Sequence, residues 1–247
     1  MKIFFHKNFY QVYTSDPAAD AGRMEAVVDA IEAQNEFVTP SPAAEEDILL
    51  AHTKEHLEDV KKEGLFPIAS LAAGAAIETA ESGLVAPAFG LIRPPGHHAS
   101  AGSCWGFCYF SNMAVAMLVL KARKKIKTAY ILDIDMHFGD GTESILAHND
   151  WVTVHNVETR DRAVYMQEVE DAMNRCKTDI IGISAGFDNH KEDWGGVLLT
   201  DDYTEIGRLV KEASVRNQGG CFALLEGGYN HLVLGQNVSA LIQGLSV

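Results

Sequence analysis

The stretch Thr128-Ala129-Tyr130-Ile131-Leu132-Asp133-Ile134-Asp135-Met136-His137-Phe138-Gly139-Asp140-Gly141 passes from an apolar strand straight into three carboxylates and an imidazole. Thr128 to Leu132 has the β-branched and aromatic composition of a buried strand. Alternation along an extended continuation puts Asp133, Asp135 and His137 on one side. Like charges crowded at the end of a buried strand are costly unless a cation neutralises them, so the run reads as part of a metal site. A calcium loop of the EF-hand type also begins Asp-x-Asp, but it needs glycine sixth and glutamate twelfth. Phe138 and Ser144 stand there, which excludes it.

Working outward, further short apolar runs alternate with helical stretches. The predicted strands are Lys2 to Phe5, Ala88 to Ile92, Thr128 to Leu132, Trp151 to His155, Asp179 to Ser184 and Cys221 to Leu225. The predicted helices are Ala21 to Gln34, Thr53 to Lys62, Ile68 to Glu81, Asn112 to Lys125, Val164 to Arg175, Asp202 to Arg216 and Leu232 to Gln243. Apolar spacing of three and four, as in Ile206, Leu209, Val210 and Ala213, supports the helices. Strand and helix in alternation predict an α/β chain, three layers deep, with a mainly parallel sheet. Pro40-Ser41-Pro42 and Pro94-Pro95-Gly96 mark turns rather than linkers, and residues 1–247 read as one domain.

In open sheets of this kind ligands gather beyond the carboxyl ends of strands, and three more strand ends carry chemistry. Ile183-Ser184-Ala185-Gly186-Phe187-Asp188 brings a carboxylate behind small residues. Alone, Asp188 reads as a cap or turn residue; beside the Asp-x-Asp-x-His run it completes two carboxylates and an imidazole, which suits catalytic zinc with one open position. Ile92-Arg93-Pro94-Pro95-Gly96-His97-His98 presents two imidazoles suited to general acid/base work, with Asp133 and Asp140 free to orient them. Leu225-Glu226-Gly227-Gly228-Tyr229-Asn230 offers a phenol on a glycine-flanked turn, suited to donating to an oxyanion. Together these are the parts of metal-assisted amide hydrolysis.

Bulk properties narrow the field. Lysine plus arginine total 20 against 34 aspartate plus glutamate, a formal charge of -14, which disfavours a nucleic-acid backbone as partner. No run approaches ~20 uninterrupted apolar residues and no signal-peptide pattern opens the chain, so the expectation is a cytoplasmic protein without a membrane partner. Cys104, Cys108, Cys176 and Cys221 form neither a disulfide framework nor a Cys-x-x-Cys zinc site, leaving oxygen and nitrogen as the metal ligands.

These motifs resemble the histone deacetylase and acetylpolyamine amidohydrolase superfamily: Arg93 to Ala99, Gly106-Phe107-Cys108-Tyr109, Asp133 to Gly141, Ala185 to Asp188 and Glu226 to Asn230 stand in that family's order and span most of the chain. His52 and Arg23 are weaker echoes. The resemblance implies the arginase/deacetylase fold and one zinc held by Asp135, His137 and Asp188. It implies His97 and His98 as the tandem histidines, partnered by Asp133 and Asp140, one acting as base toward metal-activated water. Tyr229 would polarise the acetyl carbonyl, the Gly106 carbonyl would accept the substrate amide hydrogen, and Phe107 would wall the channel. The family also binds potassium, here through Asp133 and the backbone of Asp135 and His137.

The chain departs from that pattern in places. Lys61 to Ile68 is too short for the loop that often carries a substrate-gripping carboxylate, and residues 155–164 lack the usual aromatic stretch, which predicts a wider, shallower mouth. His155 stands where many relatives have serine, bearing on the potassium site. The substrate is an acetylated amine, whether acetyl-lysine, an acetylpolyamine or another small acylated amine, and the oligomeric state stays open. The alternatives are a dimanganese, arginase-type ureohydrolase and a non-catalytic module that binds acetylated ligands.

Overall fold

Strands buried on both faces of a parallel sheet need continuous apolar sequence rather than alternation. Ile180–Ala185 and Gly220–Leu225 meet that requirement, and every residue in both is buried. The computed structural model describes residues 1–247. Its strands are β1 (Lys2–Phe4), β2 (Glu36–Val38), β3 (Ala88–Gly90), β4 (Ala129–Asp133), β5 (Val152–Asn156), β6 (Ile180–Ala185) and β7 (Gly220–Leu225). They form one seven-stranded sheet in the order β2-β1-β3-β7-β6-β4-β5. Every pairing is parallel, so the sheet expected to be mainly parallel is wholly so.

The helices are α1 (Arg23–Ile31), α2 (Glu45–Ile48), α3 (Lys54–Lys62), α4 (Phe66–Gly83), α5 (Asn112–Ala122), α6 (Asp140–Leu146), α7 (Arg162–Arg175), α8 (Thr200–Arg216) and α9 (His231–Ser246). Helix α4 packs on α5 and against β1, β3 and β7, whereas α8 packs on α7, α9, β6 and β7, and α9 also meets α1. Side chains close the orphan N–H groups at several helix starts: Thr53 accepts from His56, Ser111 from Ala114, and Asp161 from Ala163 and Val164. Only residues 63–65 separate α3 from α4, as the short Lys61 to Ile68 segment predicts. No helix is long and apolar enough to cross a membrane.

Strand register positions the chemistry. Gly90, Leu224, Ser184 and Asp133 stand abreast on the adjacent strands β3, β7, β6 and β4. The four motif-bearing segments therefore leave the sheet side by side, at the carboxyl edge where such folds bind ligands.

Candidate active site

Strand β4 ends at Asp133 and the chain then turns, so the alternation expected to keep Asp133 beside Asp135 and His137 stops there. The Asp133 carboxylate faces elsewhere: Oδ2 lies 3.1 Å from His97 Nδ1, and Oδ1 accepts the Asp135 N–H at 3.1 Å. Past the turn, Asp135 Oδ1 accepts the His137 N–H at 3.0 Å and lies 3.1 Å from His137 Nδ1. Asp188, arriving from β6, places Oδ2 3.2 Å from the same nitrogen. One ligand atom from each of Asp135, His137 and Asp188 falls within 4.8 Å of the others. Bonds of ~2.0–2.2 Å to a tetrahedral ion separate its ligand atoms by roughly 3.3–3.6 Å, close to these spacings. Asp188 is fully buried, and its Oδ2 has no aligned hydrogen-bond partner. A buried anionic oxygen without a partner is expensive, and a cation between these donors would satisfy it. Two carboxylates and an imidazole suit a divalent metal that keeps an open position.

The charges respond to this crowding. Burial and the neighbouring Asp135 push the Asp188 carboxyl up to about 7. Burial opposes ionisation of Asp135 too, but the charges and hydrogen bonds of His97 and His137 prevail and hold it below the usual carboxylate range. The hydrogen bond to Asp135 and the adjacent Asp188 carboxylate lift His137 to about 10.

The tandem histidines lie against this group. Their rings sit 4.0 Å apart, and His97 Nε2 is 3.9 Å from Asp135 Oδ2. Glu226 Oε2 accepts the N–H of Gly96 at 2.6 Å and of His97 at 3.2 Å, fixing the backbone that presents the pair. His98 Nδ1 lies 2.7 Å from Asp140 Oδ1, at the start of α6. Burial disfavours charge on His97, but Asp135 and Asp133 outweigh it and raise its pKa well above the ordinary value. Burial and the neighbouring His97 instead lower His98 to about 4, against the pull of Asp140. Two adjacent groups driven apart in this way can hold different protonation states at one pH.

Glycines allow the close approach. A Cβ on Gly106, whose φ is +56°, would lie 2.3 Å from His98 Cδ2, and one on Gly227 would lie 2.6 Å from oxygens of both Asp135 and Asp188. Tyr229 follows Gly228, with its ring edge-on to Phe107 at 5.9 Å. Burial, with the charges of Asp135 and Asp188, raises the Tyr229 phenol above its ordinary pKa, so it stays protonated. Fully buried Arg23 anchors the loop, donating to Gly228 O at 2.8 Å and Glu226 O at 2.6 Å. His52 is likewise buried, bridging Ser100 O and the Ser111 N–H.

Several neighbours escaped the sequence reading. Asp193 Oδ2 accepts the N–H groups of Tyr229 and Asn230, both at 2.8 Å. Trp194 stacks on Tyr229 at 4.0 Å, and Trp105 stacks on His98 at 3.8 Å. Both indoles are exposed, as is Phe138, the residue that follows His137. The His155 imidazole turns to the Tyr130 hydroxyl at 2.7 Å and to Glu168 at 2.8 Å.

Known proteins resemble this chain over nearly its whole length. The model of the histone deacetylase domain matches residues 18–165 and 154–245. A probable deacetylase of Methanothermobacter thermautotrophicus is 26% identical over 98% of this chain and 90% of its own length. A histone deacetylase-like amidohydrolase of Pseudomonas aeruginosa is 28% identical over 91% of this chain and 74% of its own. The solved structure of the HDA15 HD domain superposes with a TM-score of 0.85 at 22% identity, covering 99% of this chain and 88% of that one, and shares its fold. The chain belongs to the histone deacetylase domain family and is an amide-hydrolysing enzyme of that family.

Proposed function

We propose that this enzyme is a zinc-dependent deacetylase that releases acetate and a free amine from N-acetylated amines, whether acetyl-lysine or a small acetylated amine such as an acetylpolyamine. The observation that carries this reading is the convergence of Asp135, His137 and Asp188 on one point beside the His97–His98 pair. Zinc held by those three residues supplies Lewis acidity to a carbonyl oxygen and acidifies water. Everything else falls to the chain. With Nδ1 committed to Asp133, His97 offers Nε2 to the reacting region, and His98 is tied in the same manner to Asp140. The lowered pKa of His98 keeps it neutral near pH 7 and able to accept a proton, while protonated His97 supplies positive charge and can donate to the leaving nitrogen.

Tyr229, kept as the phenol, donates to the oxygen on which charge develops. The Gly106 carbonyl, approached only by the weak Cys108 thiol donor at 3.4 Å, accepts the substrate amide hydrogen, and Phe107 walls the acyl chain. Potassium would use Asp133 with the backbone oxygens of Asp135 and His137, without the His155 side chain, whose imidazole is engaged with Tyr130 and Glu168. A dimanganese centre would need further bridging carboxylates, and the group of side chains placed to hold a metal consists of Asp135, His137 and Asp188.

The test is a hydrolysis screen of zinc-loaded and chelated protein on acetyl-lysine peptides, acetylpolyamines and small N-acetyl compounds. Acetate release that chelator abolishes and zinc restores supports the proposal. Turnover unaffected by chelation, or ureohydrolysis with manganese, overturns it.

A further inference from the structure

Trp105 is 55% exposed, yet both its ring and its N–H are committed to the tandem-histidine apparatus. Its indole lies over His98 at 3.8 Å and 32°. Its Nε1–H donates to Asp140 Oδ2 at 2.9 Å, while the other oxygen of that carboxylate is paired with His98 Nδ1 at 2.7 Å. Indole, carboxylate and imidazole thus close a triangle, each group touching the other two. The backbone holds the indole there. Trp105 O accepts the Cys108 N–H at 3.0 Å, and the next residue, Gly106, curls under His98 with φ +56°, where any side chain would strike the imidazole.

The triangle addresses a specific weakness of the dyad. The Asp140 side chain is 49% exposed, whereas Asp133, the equivalent partner of His97, is 2% exposed. A half-exposed carboxylate can rotate and trade its imidazole for water, and its orienting effect falls accordingly. Burial locks Asp133; Asp140 has instead a second donor, and its imidazole partner has an aromatic cover.

We propose that Trp105 is a positioning residue for the proposed deacetylation: it fixes the plane of the Asp140 carboxylate and so holds His98 with its proton on Nδ1 and Nε2 facing the reaction. This rests on the reading of His98 as a proton-transfer residue. Trp105→Phe keeps the stacked ring and removes only the N–H; Trp105→Ala removes both. Because the indole is half in solvent, neither change opens a cavity in the core.

Steady-state kinetics on the best acetylated substrate of the zinc-loaded enzyme are predicted to show kcat reduced about 10- to 100-fold in Trp105→Phe, as for other orienting partners, with KM unchanged and zinc content intact. A wall that merely contacts substrate would raise KM instead. In an Asp140→Asn background the same change is predicted to cost nothing further, because the path through which Trp105 acts is already broken. Imidazole 15N spectra of chelated protein supply a readout independent of turnover: His98 holds a single Nδ1–H tautomer in the parent and a mixture in Trp105→Phe. A parent that turns over while Trp105→Phe matches it in kcat overturns the positioning role and leaves the deacetylase reading standing, as does a loss that adds fully to Asp140→Asn. A zinc-loaded parent that hydrolyses no acetylated amine overturns both.

Discussion

Asp188→Asn has opposite consequences with and without metal if Asp188 is a ligand rather than a structural carboxylate. Burial and the charge of Asp135 carry the Asp188 carboxyl from the ordinary 3.8 to about 7. A folded-state pKa above the unfolded one means that ionisation opposes folding. The penalty is absent below about pH 4, grows as pH rises through that window and is complete above about pH 7, where it reaches roughly 4 kcal/mol. Asparagine keeps the oxygen that accepts the Met136 N–H and carries no charge. In chelator at pH 8, Asp188→Asn should therefore be more stable than the parent by up to about 4 kcal/mol, a gain that fades toward pH 4. With zinc at about 100 times its dissociation constant the parent gains about 2.7 kcal/mol and the variant gains little. Urea denaturation followed by circular dichroism, in chelator and in zinc at pH 8 and pH 5, reads all of these. A variant less stable than the parent in chelator at pH 8 would refute the reasoning and make Asp188 a structural residue.

Other substitutions probe the remaining parts. Tyr229→Phe should retain zinc by elemental analysis while kcat falls about 10²- to 10³-fold, the range for loss of one oxyanion donor. Asp193→Ala deprives the N–H groups of Tyr229 and Asn230 of their shared acceptor; hydrogen exchange at those amides should quicken and kcat should fall, with zinc content unchanged. His52 is lowered to about 4 by burial and by neighbouring His56, so the fold prefers it neutral. Its folded pKa lies below the unfolded one, so stability falls as pH drops from about 6.5 to 4, by about 3 kcal/mol, and His52→Gln should flatten that slope in denaturation curves.

What was legible in the sequence follows from how far each signal reaches. Strands β3, β4, β6 and β7 are dense in apolar residues, and each leads into a polar motif, so both the sheet and the four active strand ends could be read from local composition. The edge strand Glu36–Val38 was missed because three residues, half exposed, carry no period. Helix Asp140–Leu146 was missed because it opens Asp140-Gly141-Thr142, which reads as a turn; its glycine stands where the helix passes close to the Ala99 backbone. Alternation grouped Asp133 with Asp135, but the chain turns at the strand end and sends its carboxylate to His97, the partner that the family resemblance implied. Trp105, Asp193 and Trp194 were silent because what they do depends on neighbours from other segments: Asp140 and His98 for the first, and the Tyr229 loop for the other two.

Zinc-edge X-ray absorption on the reconstituted enzyme tests the central claim most directly. The account predicts one ion per chain, with oxygen and nitrogen scatterers at about 2.0–2.2 Å and a single imidazole among them. A sulfur shell near about 2.3 Å, several imidazoles, or a second metal within about 4 Å would contradict it.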